Sequence, residues 1–234
     1  MLLYIIRHGD PDYTTDTLTE RGRKQAEALV PRLTRAGITR IFSSPMGRAR
    51  QTAEPTAKAL GLKIEIEEWA HEIDREYRWV DEAKTILAGQ LGTERFRMGH
   101  DADVSYEHSL ETDVLSRTRL SEVLPDIARN ADKLLEKLGY KAEGNVYRVI
   151  SPSDEHVALF CHAALSRALV SHLLHIPAHL AWGGFSFTHT GVTVFEMNNP
   201  PEGLTAPRCL MLSDMSHLFA SAETDMLYFG KKPV

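Results

Sequence analysis

At 234 residues, with 43% hydrophobic and 25% charged side chains, the chain has ordinary globular composition and the size of one α/β domain. Its 27 basic against 32 acidic residues give a net charge of −5, so no overall positive field exists to recruit nucleic acid or an anionic membrane, and any anionic ligand has to be held by local groups. The two cysteines, Cys161 and Cys209, stand in apolar runs and read as buried reduced thiols; the apolar start is too short for a signal segment and no stretch approaches the ~20 apolar residues of a membrane span, which predicts a soluble cytoplasmic protein.

Residues 2–6, "LLYII", form a continuous apolar run, the pattern of a strand covered on both faces. Turn-rich "GDPDYTTDT" follows. Ala26, Leu29, Val30 and Leu33 then fall on one face of a helix that Gly37 should stop and Pro31 should kink or break. "RIFSS" (40–44) reads as a second strand, "PMGRARQTAEPTAKALG" as a helix from Pro45 to Gly61, and "LKIEIEEW" (62–69) as an alternating third strand. Residues from about 73 to 155 break the β-α rhythm with charged, aromatic and glycine-punctuated stretches, then a helical pattern through Val123, Ile127, Leu134, Leu135 and Leu138. No linker composition marks either end, so this stretch is read as a lid-like insertion within one domain spanning 1–234. The alternation resumes with "HVALFC" as strand, "AALSRALVSHLLH" as helix, and "GVTVFEM" and "PRCLML" as two more strands. The expected fold is a three-layer, doubly wound α/β domain, its mostly parallel sheet covered by helices on both faces.

In such a sheet ligands bind at the carboxyl ends of the strands. Those ends carry Arg7, His8 and Gly9; Ser43 and Ser44 leading into Arg48; Trp69 and Glu72; and His162. The set suits phosphoryl transfer, where fixed positive donors and an aligned nucleophile suffice. Arginine forks match phosphate, a neutral imidazole is a competent nucleophile near pH 7, a second histidine can donate to the same oxygens, and a carboxyl group can protonate the leaving oxygen. Gly9 would let the backbone approach the pocket without a Cβ.

With those residues assembled, the chain resembles the histidine phosphatase superfamily, the phosphoglycerate mutase-like family. The resemblance is carried by "RHG" after an apolar strand, "LTERGRKQA" (18–26), "SSPMGRARQTA" (43–53) and "LFCHAALSRAL" (159–169), in that order. It covers roughly the first seventy and the last eighty residues. It implies that His8 is the nucleophile that becomes phosphohistidine and that Arg7, Arg48 and His162 bind the phosphoryl oxygens. Arg48, rather than Arg50, directly precedes the Ala of the second motif. Glu72 in "WAHEI" matches the family's acid segment, with Ala70 where leucine is usual; Glu68, Asp74 and Asp10 are the alternative carboxylates.

Asp10 stands where the family often has Glu. "RHGDPD" and "THTG" match neither motif of the acid phosphatase and phytase branch. A cofactor-dependent phosphoglycerate mutase typically reads R-H-G-E-S-x-W-N and E-R-H-Y-G where this chain has "RHGDPDYT" and "HEIDREY". The resemblance therefore implies a phosphomonoester hydrolase that needs no metal or other cofactor and acts on a small-molecule substrate. Mutase-type phosphotransfer and a non-catalytic phospholigand-binding module are the alternatives.

Thr14 and Thr15 follow the nucleophile closely, where a hydroxyl can reach a bound phosphate or simply serve the turn. His189 stands at the mouth of a late strand and is either a pocket residue or a turn residue satisfied by the backbone. His172, His175 and His179 lack a carboxylate at ligand spacing and read as surface or core histidines rather than a metal site. Arg75, Arg78, Trp79, Arg95 and Arg97 make the insertion a basic, aromatic surface expected to cover part of the pocket.

Overall fold

The structure is a computed structural model that describes residues 1–73, 78–81, 84–87, 91–98 and 103–219. Its elements are β1 (Leu2–Arg7), β2 (Pro11–Asp12), β3 (Thr17–Leu18), α1 (Glu20–Ala36), β4 (Arg40–Ser43), α2 (Gly47–Leu60), β5 (Ile64–Ile66), β6 (Arg78–Asp81) and β7 (Lys84–Leu87). There follow α3 (Asp113–Ser116), α4 (Leu120–Lys137), β8 (Tyr140–Glu143), β9 (Val146–Val149), β10 (His156–Cys161), α5 (Ala163–Leu174), α6 (Ala178–Gly184), β11 (Val192–Glu196), β12 (Leu204–Thr205), β13 (Arg208–Asp214) and α7 (Ser216–Phe219).

Six strands form the main sheet in the order β13-β11-β1-β10-β4-β5. β1, β10, β4 and β5 run parallel, while β11 and β13 add an antiparallel edge. The period-2 alternation of β1 explains its unbroken hydrophobicity. Leu3 and Ile5 join one core with α4 and α5, and Tyr4 and Ile6 join a second core with α1 and α2. Phe160, fully buried on β10, belongs to the second core. Phe160→Ala should cost about 3–5 kcal/mol of stability, since the cavity opens between sheet and helices that cannot collapse onto it. Urea denaturation measures this, and a loss under about 1 kcal/mol would contradict the packing.

Several expected elements differ in extent. α1 runs unbroken through Pro31, which lies on the solvent face, where the carbonyl deprived of its donor meets water; fully buried Leu29 and Leu33 hold the turns on either side. The helix ends at Gly37, whose φ of 70° lets its N–H bond the carbonyls of Leu33 and Thr34. The third strand shortens to Ile64–Ile66. It is the sheet edge, paired with β4 alone, and beyond it the chain turns through a 3₁₀ segment, Glu68–Ala70, that buries Ala70 and returns toward α5. Within the segment 73–155, α4 buries Leu120, Ile127, Ala131, Leu134 and Leu135 in the main core and so forms part of a helical layer of the sheet. Asp74 and Arg75 lie outside the described residues. Among the described residues, no helix is long and apolar enough to cross a membrane.

Cys161 is fully buried at the end of β10, and burial pushes its thiol up to about 12; Cys209 is half-buried on β13, and both are free thiols. His172 bonds Asp132 at 2.8 Å, His175 approaches Glu107 at 3.3 Å and stacks on Tyr106, and His179 is fully buried. These histidines thus have separate surroundings. Among the described residues no cluster of three or more His, Cys, Asp or Glu is arranged to hold a metal ion.

Candidate active site

The carboxyl ends of β1, β4 and β10, with the turn after β5, converge on one cluster. His8 follows β1 and is 1% exposed; its N–H donates to Cys161 O at 2.9 Å, which aligns the end of β1 with that of β10. Its ring lies 5.2 Å from that of His162 and 5.6 Å from that of His189, centroid to centroid. Nδ1 of His8 is 2.7 Å from the carbonyl of Gly9, an acceptor that requires the ring proton on Nδ1. Nε2 therefore keeps its lone pair. Burial, followed by the nearby Arg7 and His162, pushes His8 well below its ordinary value, so the ring is neutral at pH 7.

Gly9 is also required by a contact within the chain. A Cβ there would meet the carbonyl oxygen of Gly22 at 2.7 Å, and a Cβ on Gly22 would meet Asp10 O at 2.2 Å. The two glycines let the chain after β1 press against the start of α1. Asp10 completes this junction: its carboxylate accepts from Thr19 Oγ at 2.7 Å, its N–H donates to Gln25, and Thr19 in turn caps α1 through the N–H of Gly22. Gly9 N–H donates to Thr52 Oγ at 2.9 Å, and Thr52 donates to the carbonyl of Arg48, which ties β1 to α2.

Arg7 donates from Nη1 to Phe187 O at 2.6 Å, and Arg48 is paired through Nη1 with Asp16. Arg48 is 5% exposed, and desolvation lowers Arg7 from its ordinary value while leaving it a cation at neutral pH. His162 is fully buried, with Nε2 2.7 Å from Ser44 Oγ. Ser44 Oγ accepts from the N–H of Met46, so its own proton is available to His162 Nε2, a pairing that leaves the ring proton on Nδ1. The buried side-chain atoms with no hydrogen-bond partner include Arg7 Nε, Arg48 Nε, His162 Nδ1 and His189 Nε2. Buried polar atoms are ordinarily satisfied, and this group carries two cations and one imidazole N–H, the donor set of an anion site.

Glu72 is half-buried against the first turn of α5. Its Oε1 accepts from the N–H groups of Ile73 at 3.1 Å and Leu165 at 3.3 Å, and Oε2 from Ala164 at 3.5 Å. These donors and Arg7 favour the carboxylate, but desolvation outweighs them and raises Glu72 above the ordinary carboxylate range. The result is a carboxyl group that holds its proton to higher pH than an ordinary one, beside the guanidinium of Arg7.

His189 reaches this cluster from the loop before β11. Its Nδ1 lies 3.6 Å from Asp10 Oδ1, too long for a hydrogen bond, and burial with Arg7 and Arg21 pushes it down to about 3. It is neutral, and the contact with Asp10 is not an ion pair at pH 7. Thr190 holds the loop: its N–H donates to the carbonyls of Arg7 and His8, and its φ of 56° is unusual for a β-branched residue. Arg32 donates to His217 Nδ1 at 3.2 Å, His217 Nε2–H to Thr190 Oγ at 3.1 Å, and Thr190 to the carbonyl of His189 at 2.7 Å.

Thr15 is exposed, and its hydroxyl is engaged by Asp12 and Thr17 rather than by the His8 cluster; Thr14 is likewise bonded to Asp12. Glu68 is exposed on the 3₁₀ turn. Of the insertion residues, exposed Arg97 lies beside Gly184, and Phe96 packs under Gly183 on α6. Sequence reasoning missed Asp16, Thr52 and Thr190, and gave Ser44 no role beyond the strand end. Thr52 and Ser44 lie inside the motif around Arg48, whereas nothing in "TTDT" distinguishes Asp16.

Comparison with known proteins bears on this cluster. A family model described as histidine phosphatase superfamily, branch 1, matches residues 3–205. A Citrobacter koseri protein named probable phosphoglycerate mutase GpmB is 35% identical over 81 residues, which is 31% of this chain and 38% of that protein's length. Among solved structures, a phosphoserine phosphatase from Entamoeba histolytica shares 21% identity over 93% of this chain and 98% of that one, with a TM-score of 0.61. A mycobacterial glucosyl-3-phosphoglycerate phosphatase shares 21% over 92% and 99%, at 0.60, and a Shigella flexneri α-ribazole phosphatase 20% over 92% and 96%, at 0.57. At these identities the solved structures match the fold.

Proposed function

The chain belongs to the histidine phosphatase superfamily, branch 1, and from that premise we propose that it hydrolyses small phosphomonoesters through a phosphohistidine on His8. The observation that carries this reading is the state of His8: a buried, neutral ring whose Nδ1 proton is committed to Gly9, leaving Nε2 as the nucleophile among the unpartnered nitrogens of Arg7, Arg48 and His162.

His8 Nε2 attacks phosphorus in line with the ester oxygen; the N–P bond forms as the P–O bond breaks, and Glu72 gives its proton to the departing oxygen. Glu72, now a carboxylate, takes a proton from water as the water oxygen attacks phosphorus and the N–P bond breaks. Inorganic phosphate leaves and both groups are restored. Arg7, Arg48 and the Nδ1–H of His162 stabilise the equatorial oxygens in both steps, so the reading requires no metal. The residues 73–155 are proposed to select the alcohol portion of the substrate.

The test is turnover of p-nitrophenyl phosphate with excess chelator, alongside incubation with 3-phosphoglycerate. Steady phosphate release from the aryl ester, with no transfer of phosphate between the two positions of the glycerate, is the expected result. Exchange with little free phosphate would favour the mutase reading. Tight binding of inorganic phosphate without release from any of a panel of esters would favour a binding module.

A further inference from the structure

A guanidinium offers two forked edges, Nη1 with Nη2 and Nε with Nη2, and a phosphoryl group needs one of them. Both arginines at this site are held by Nη1. Arg7 gives that atom to Phe187 O, and Arg48 gives it to the carboxylate of Asp16. In both, Nε is buried and without a partner, and at Arg48 the remaining Nη2 meets Met46 Sδ at 3.5 Å, a weak acceptor. At Arg48 the edge Nε with Nη2 is thereby left for a ligand; at Arg7 Nε is likewise unpartnered, while Tyr13 bonds the guanidinium.

Asp16 is set in place largely by the backbone. It lies between β2 and β3, which pair Pro11 with Leu18 and Asp12 with Thr17, in a loop tightened by Thr14 and Thr15 bonding to Asp12. Its φ of 52° places it in the left-handed region, which an aspartate tolerates better than most residues. Its second carboxylate oxygen accepts the N–H of Gly47 at 2.6 Å, at the start of α2. The approach is close enough that a Cβ at position 47 would meet Asp16 O at 2.3 Å. One carboxylate thus joins the first residue of α2 to the guanidinium of the second.

We propose that Asp16 is a positioning residue for phosphoryl binding, clamping Arg48 through Nη1 so that its Nε and Nη2 face the phosphoryl oxygens. The proposal deepens the phosphatase reading and rests on it for the identity of the ligand. A carboxylate beside an anion site also repels the anion, so its benefit lies in orientation. Removing it should loosen binding even though a negative charge is lost.

The experiment is a double-mutant cycle on Asp16→Ala and Arg48→Ala, with Asp16→Asn as the conservative variant, reading kcat and KM for p-nitrophenyl phosphate and the Kd of inorganic phosphate by calorimetry. Asp16→Ala should lower kcat/KM by about 10- to 100-fold, the order expected for a misplaced binding group. It should weaken phosphate in parallel, and Asp16→Asn, whose amide oxygen can still accept from Arg48 while its NH2 faces the N–H of Gly47, should recover part of both. In the Arg48→Ala background the same substitution should change neither by more than about twofold, because coupled residues are non-additive. An unaltered Asp16→Ala enzyme, or an equal loss with and without Arg48, overturns the clamp. If the wild-type protein binds phosphate but hydrolyses no ester, the hydrolase reading fails while the phosphate arm still decides the role of Asp16.

Discussion

Replacing His8 by alanine should lower kcat for any phosphomonoester by on the order of 10⁴-fold or more, the scale of losing a covalent nucleophile, while the protein stays folded. The expectation follows from the uniqueness of its electronic state. His162 holds its Nε2 against Ser44 and, in the pairing that satisfies Ser44, carries the proton on Nδ1, which makes it a donor toward the pocket. His189 is neutral with Nε2 unpartnered, but its loop is fixed by the bonds from Thr190 to Arg7 and His8, with its ring centroid 5.6 Å from that of His8. It cannot replace His8 without moving that loop. Wild-type protein quenched in alkali during turnover should carry one phosphoryl group on His8, stable to base and lost in acid, detectable by peptide mass spectrometry. His8→Ala protein should carry none, and full activity in that variant would remove the nucleophile.

The second large effect is at Glu72. Glu72→Gln should slow hydrolysis of alkyl phosphates by about 10²- to 10⁴-fold, because the poor leaving oxygen needs its proton; with aryl phosphates the phosphohistidine should still form quickly, seen as a burst, while its hydrolysis by water slows. The pH dependence identifies the group. Burial lowers His8 below 6.5, so activity should fall on the acid side only as pH drops beneath that value and the nucleophile is protonated. Burial raises Glu72 above 4.5, so the proton that the leaving group needs persists further toward neutrality and is lost as pH rises through the raised value. The ratio of wild-type to Glu72→Gln rates cancels the ionisation of the substrate itself. With alkyl substrates that ratio should be largest at low pH and decline as pH rises. A ratio independent of pH would move the acid to another carboxylate.

Much of this site was legible because its strongest residues sit at strand ends. Continuous hydrophobicity in residues 2–6 and the apolar run from His156 to Cys161 predicted two strands of a mostly parallel sheet, and β1 and β10 are adjacent and parallel in it. His8 and His162, each just beyond its strand, were therefore placed on one edge. Glu72 was harder to place: the alternating pattern of 62–69 suggested a strand, whereas an edge strand with one neighbour gives way early to a turn that carries Glu72 back to α5. Thr15, chosen for its distance along the chain from His8, bonds within its own loop because Asp12 and Thr17 are nearer acceptors and donors.

The sequence by itself determined the β-α alternation, the faces of the strands and the residue types at the sheet's carboxyl edge, since hydrophobic period and turn chemistry are local along the chain. Only the tertiary structure decided the states of those residues. The tautomer of His162 depends on Ser44, 118 positions away; the exposed edge of Arg48 depends on Asp16, 32 away; and Gly9 is required by its contact with Gly22. A hydrogen bond selects one proton position or one guanidinium edge by distance and direction in space, and spacing along the chain carries neither.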